Sequence, residues 1–186
     1  MSAVKSALMV IDFQNDIFDG APAWQAGVVM QRLQRLLAGA RAAAVPVIYI
    51  QHDEPGSSLQ VGTPAWRFPD AIAPAGGDHV SAKQNSSAFH DTTLQAYLAG
   101  QGIGRLYVGG YASEFCVDST VRHGAALGLQ MVVVDDAHTT RDRPHLAAPD
   151  MWLHEADMAL YDAKSAGRNT VTVANPALGR GTATPG

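Results

Sequence analysis

Among the chemically capable side chains of this sequence, Asp12, Lys83 and Cys116 stand out because each falls where a predicted strand or its turn ends. Cys116 is the only cysteine, which excludes an intramolecular disulfide and cysteine pairs for zinc or redox exchange. Any chemistry at sulfur therefore uses one thiol. Placed where a turn becomes a helix, that thiol is expected to feel the positive end of the helix dipole, which favours thiolate over thiol. A carboxylate within hydrogen-bond reach takes the thiol proton and later returns it to a departing amine, so Asp12 can serve both transfers. A carboxylate beside an apolar strand is costly to bury alone, and Lys83 is its expected partner. The turn before Cys116 offers backbone N–H groups to an oxyanion, with Gly109 and Gly110 permitting its bend. Taken singly, each residue also has a structural reading: Cys116 as a small core residue, Asp12 as a cap, Lys83 as a surface charge. Their coincidence at one edge of a sheet favours the chemical reading.

That edge follows from the elements. Short β-branched runs alternate with stretches of helical period, the pattern of parallel strands joined by crossover helices. Ala7 to Ile11 reads as a buried first strand, and Val45 to Ile50 as a second with its proline near the start. Between them, Val29, Leu33, Leu36, Leu37 and Ala40 share one helical face. His79 to Ala82 reads as a short strand before Lys83. Asp91 or Thr92 is the expected cap of a helix carrying Leu94, Tyr97 and Leu98, ended by the glycines at 100 and 102. Leu106 to Val108 is a strand, Cys116 to Leu127 a helix, and Gln130 to Val134 the next strand. A helix over Pro149 to Ala163, a last strand over Thr170 to Val173 and a loose tail over residues 179–186 complete the reading. The expected fold is α/β: one three-layer αβα domain over residues 1–186, with an open, mostly parallel, Rossmann-like sheet of about six strands. Ligands in such sheets bind beyond the carboxyl ends of the strands. Asp53 to Gly77 has no sustained period yet carries Trp66 and Phe68, and long loops of that kind are often functional.

Composition narrows the partners. The 186 residues are 47% hydrophobic and 16% charged with a net charge of −4, a globular balance that gives no reason to expect nucleic acid or an anionic membrane surface. A small molecule is the expected ligand. The N-terminal MSAVKSALMVIDF resembles neither a signal peptide nor a membrane span, because an aspartate interrupts its apolar run after a few residues, so a cytoplasmic protein is expected.

The strings VIDFQNDIF, the lysine in AKQNSSAF, and GGYASEFCVDSTVRHGAALGLQMVVVDDA together resemble the isochorismatase-like, or cysteine hydrolase, family, from about Ala7 to Ala137. The resemblance places the family's catalytic aspartate, lysine and cysteine on Asp12, Lys83 and Cys116. It implies a cis peptide between Tyr111 and Ala112, with the amides of Ala112 and Cys116 as the oxyanion hole. It also implies cleavage of an amide or carbamoyl C–N bond of a small molecule through a thioester, no cofactor, and a homodimer or homotetramer. Isochorismatases proper cleave a vinyl ether in the same fold without needing a cysteine here, so Cys116 points toward amides. The chain departs from the family in Ser113, where threonine is common, and in Glu114 and Phe115 before the cysteine. Phe115 is bulkier than the usual residue and is expected to narrow the pocket.

Nicotinamidases of this family hold a metal through an Asp-x-His pair after the second strand and a further histidine. Here His52 and Glu54 stand at that spacing, but no third ligand follows in the loop, and no metal is expected. His52 then either lines the pocket or is a structural histidine. Phe18, Trp66, Phe68 and Tyr111 are candidates for apolar walls, as small-molecule sites usually need, or for ordinary core. The histidines at 79, 90, 123, 138, 145 and 154 show no ligand spacing and read as structural or exposed. Two competing readings are a non-catalytic ligand-binding or assembly protein that keeps the fold, and a dinucleotide-binding oxidoreductase. The second lacks a G-x-G-x-x-G after the first strand, where VIDFQND stands instead.

Overall fold

A computed structural model of the chain describes residues 4–141 and 171–174. Its strands are β1 (Lys5–Ile11), β2 (Val47–His52), β3 (His79–Lys83), β4 (Ile103–Tyr111), β5 (Gln130–Thr139) and β6 (Val171–Ala174). They form one sheet in the order β3-β2-β1-β4-β5-β6, and every neighbouring pair is parallel. The expected parallel α/β sheet is the one observed. The predicted helix over Pro149 to Ala163, the tail, His145 and His154 lie outside the described residues.

The central strand β1 is buried on both sides, which explains its unbroken apolar run. Ala7, Met9 and Ile11 face helices α2 (Leu94–Gln101) and α3 (Asp118–Ala126), through Leu94, Leu98, Val121 and Ala125. Leu8 and Val10 face the opposite way, onto Val29, Leu33 and Leu37 of α1 (Ala26–Ala42). Among the described residues, α1 thus covers one side of the sheet and α2 and α3 the other. No helix among the described residues is long and apolar enough to cross a membrane.

Several local expectations are corrected. Gly109 and Gly110 belong to β4 and do not make the bend; they let strands approach. Gly110 has φ +129°, and a Cβ there would sit 2.0 Å from the Ile11 carbonyl oxygen, so β4 can close on the end of β1 only with glycine. The chain bends one step later, at the cis peptide between Tyr111 and Ala112. The helix expected from Cys116 starts as a π-helical turn, Ser113–Val117, and only then becomes α3. The Ala112 carbonyl accepts both Phe115 N–H (3.0 Å) and Val117 N–H (3.1 Å), and this wide i to i+5 closure holds Cys116 before the α-helix proper. Thr93, not Asp91 or Thr92, holds the cap position of α2 but makes no side-chain cap bond; the Thr92 hydroxyl accepts from Leu94 N–H at 3.4 Å and donates to the Ala88 carbonyl at 2.6 Å. Gly102, in the left-handed region, ends α2, whereas Gly100 lies within it.

Candidate active site

Strand register brings the separated residues together. Ile11 lies level with Ile50 of β2 and Gly110 of β4, and His52 lies level with Lys83. Asp12, the next residue along, therefore emerges between the ends of β2 and β4. Its own N–H still donates to the Ile50 carbonyl at 2.9 Å, while its φ of +46° turns the chain out of the strand.

The centre of the site is the Lys83 ammonium. Its side chain is fully buried and its Nζ lies 2.6 Å from Asp12 Oδ2, 3.1 Å from His52 Nδ1 and 3.4 Å from Cys116 Sγ. An ammonium has three protons and no lone pair, so it donates to His52 and Cys116 while holding Asp12 as an ion pair. His52 must accept at Nδ1, which leaves its proton on Nε2. Burial, and then the nearby Lys83 charge, lower the His52 pKa, consistent with a neutral ring.

Asp12 and Cys116 are tuned by the same enclosure. Burial raises the Asp12 pKa above the ordinary carboxylate range, against the pull of Lys83. Burial and the adjacent Asp12 charge push the Cys116 thiol up to about 12. The expected thiolate is corrected in direction: burial and the Asp12 charge favour a thiol, set against a carboxylate of raised proton affinity. That arrangement can pass the thiol proton to Asp12 while sulfur bonds to an electrophile.

A cavity of about 250 Å³ opens above Asp12 and Cys116. Ile17, Leu59, Tyr111, Ala112 and Phe115 give it apolar walls, and Gln14, Asp16, His52, Gln84 and Ser86 its polar ones. Of the expected pocket residues, His52, Tyr111 and Phe115 are in place, and Phe115 keeps 44% of its surface exposed. Phe18 and Trp66 are not part of the lining. Phe18 packs edge-on against Phe13 at 6.0 Å. The Trp66 indole donates to Asp53, and its backbone carbonyl receives the side-chain amides of Gln14 and Gln51 at 2.7 and 2.9 Å. Phe68 likewise packs edge-on against Tyr49. The long loop is thus anchored by its aromatics and offers the pocket Leu59.

The reading from sequence missed Gln14, Asp16, Ile17, Leu59, Gln84 and Ser86. The first three lie in VIDFQNDIF just past β1, and Gln84 and Ser86 just past β3, so the strand-end rule was the available signal. Gln14 is the structural key among them. It is buried, its Oε1 accepts the His52 N–H at 2.9 Å, and its Nε2 donates to the carbonyls of His52 and Trp66. Gln14→Ala is expected to destabilise the protein by about 2–3 kcal/mol, because it orphans buried backbone groups. Urea unfolding measures the loss, and a change under about 0.5 kcal/mol would contradict this account.

Outside the pocket, His79 stacks on Tyr97 at 3.6 Å, His123 Nδ1 meets Ser87 at 2.9 Å, and His138 Nδ1 meets Ser113 at 2.8 Å. His90 is exposed beside Asp91. Among the described residues no group of three His, Cys, Asp or Glu side chains is arranged to hold a metal ion, and His52 Nδ1 is already engaged by Lys83.

Comparison with known proteins follows the same lines. Residues 6–158 match the family model described as the isochorismatase domain. Streptothricin hydrolase of Streptomyces noursei is 40% identical over 147 residues, which are 78% of this chain and 52% of that protein, so the match spans about half of the relative's length. A ureidoacrylate amidohydrolase of Methylobacterium radiotolerans is 29% identical, over 72% of this chain and 60% of its own. A solved isochorismatase-family structure from Chromobacterium violaceum superposes with a TM-score of 0.82 at 30% identity, covering 95% of this chain and 92% of that one.

Proposed function

The chain belongs to the isochorismatase family, and from that premise we propose that it is a cysteine-dependent amidohydrolase that cleaves a C–N bond of a small amide or carbamoyl compound through a thioester. The observation that carries this reading is the single buried ammonium of Lys83 in contact with both Asp12 and Cys116 at the floor of the cavity. The names of the relatives, a streptothricin hydrolase and ureidoacrylate amidohydrolases, support hydrolysis of this class.

In the proposed sequence, Cys116 Sγ bonds to the carbonyl carbon as its proton passes to Asp12. The carbonyl oxygen becomes an oxyanion facing the backbone N–H groups of Ala112 and Cys116, the proposed oxyanion hole. Asp12 then gives its proton to the amide nitrogen, the C–N bond breaks, and ammonia or an amine leaves a thioester on sulfur. Water attacks the thioester with Asp12 taking its proton, the C–S bond breaks, and the proton returns to the departing thiolate. Lys83 keeps Asp12 oriented throughout and offsets its charge while it is ionised.

The test is an ammonia-release screen over an amide panel, with acid quenching and mass spectrometry of the intact chain. Expected are ammonia release and an acyl increment located on Cys116. No release from any amide, together with tight binding of a ligand that is indifferent to Cys116→Ala, would establish a binding protein in place of an enzyme.

A further inference from the structure

The charge inventory of the cavity says more about its occupant than its size does. Two carboxylates line it, Asp12 and Asp16, and among the described residues no lysine or arginine does. Lys83 lies beneath the floor, ion-paired to Asp12 and hydrogen-bonded to His52 and Cys116. Asp16 is engaged from outside the cavity: Ser58 donates to Oδ1 at 2.9 Å, and Arg141 Nη2 sits 3.3 Å from Oδ2 and also donates to the Asp16 carbonyl. Arg141 stands behind that wall, paired to Asp16 and 6.0 Å over the ring of Tyr111, and does not itself line the cavity. The Gln14 amide is wholly used by backbone groups of His52 and Trp66.

Among the described residues, what faces an entering molecule is a paired acid at the floor, a paired acid on the wall and neutral polar groups. The His52 Nε2–H is one of the latter, fixed as a donor because Nδ1 accepts from Lys83. Ile17, Leu59 and Phe115 supply the apolar remainder. Among the described residues, a carboxylate brought here would lose water without meeting a lining cation, and it would lie beside two acids whose own cations are turned to them.

We propose that this cavity selects uncharged amides and excludes substrates that carry a carboxylate close to the scissile carbonyl. The inference rests on the amidohydrolase reading for the word substrate, but its test does not need turnover. Iodoacetamide and iodoacetate are nearly isosteric, differ in one negative charge, and each loses iodide as the Cys116 sulfur bonds to carbon. Because Cys116 is the only cysteine, labelling reports this cavity alone. The ratio of the two alkylation rates on the native protein is compared with the ratio for the same cysteine in the urea-unfolded chain.

The native protein is expected to favour iodoacetamide at least about tenfold more than the unfolded chain does. Gln84→Arg, which sets a cation on the rim, is expected to shrink that preference about threefold or more. Equal ratios in the native and unfolded states, or no native labelling by iodoacetamide, overturn the proposal. If the charge preference is found but Cys116→Ala still hydrolyses amides at the parent rate, the cavity's selectivity stands and the nucleophile assignment falls. If Cys116 forms the thioester yet both reagents react in the unfolded ratio, the mechanism stands and the selectivity falls.

Discussion

Cys116→Ala is expected to lower kcat on any accepted amide by about 10⁴-fold or more, while leaving the fold intact. A nucleophile that forms the covalent intermediate has no substitute in the site, so its loss removes the pathway and does not merely slow it. The structural cost is small, because Cys116 is only partly buried and alanine vacates one sulfur at the edge of the apolar cluster. Cys116→Ser is expected to be nearly as inactive, since a hydroxyl is harder still to deprotonate against Asp12. The wild-type pH profile should carry the same signature. Activity needs Asp12 ionised, so it is present above the raised Asp12 pKa and is lost as pH falls through it. With burial and the Asp12 charge pushing the thiol up to about 12, no rising limb from its ionisation is expected between pH 7 and 10. Steady-state ammonia release with thermal melts of each variant measures both effects. An alanine variant that retains a tenth of the parent kcat would remove Cys116 from the mechanism.

Why the three central residues were legible, and much of their surroundings was not, comes down to range. Asp12, Lys83 and Cys116 follow strands or their turns, and parallel strands deliver such positions to one edge whatever the intervening loops do. The aromatics of the 53–77 loop obey no such rule. Trp66 reads from sequence as pocket wall or ordinary core, and it is neither: its indole meets Asp53 and its carbonyl two buried glutamines. The π-helical turn was hidden because it depends on where the Ala112 carbonyl points, which the residue types at 113–117 do not encode. The thiolate expectation failed for a related reason: a helix start is visible in sequence, but the enclosure that desolvates Cys116 is assembled from β1, β3 and the turn after β4 together. Gly110 was read as permitting the bend, whereas its constraint lies across the sheet at Ile11.

The Asp12–Lys83 pair separates chemistry from folding in a second large effect. Both partners are buried, so Lys83→Met is expected to destabilise the protein by about 3–5 kcal/mol at neutral pH by leaving Asp12 ionised and unpaired. The sign of its pH dependence is fixed. The folded Asp12 pKa is already raised, and removing the opposing Lys83 charge raises it further. A carboxylate whose folded pKa exceeds its unfolded value favours folding most when protonated, so the deficit of Lys83→Met should shrink as pH falls through that pKa and be largest above it. Adding Asp12→Asn should then restore most of the lost stability at neutral pH. It removes the buried charge, and asparagine tolerates the left-handed backbone found here, φ +46°. The double variant should nonetheless hydrolyse amides about 10²–10⁴-fold more slowly than the parent or worse, because no group is left to take the thiol proton. Urea unfolding at pH 5 and pH 8, run beside ammonia release, distinguishes the cases. A Lys83→Met variant as stable as the parent at both pH values would mean that the pair is not the buried charge partnership described, and an active double variant would assign the proton transfer elsewhere.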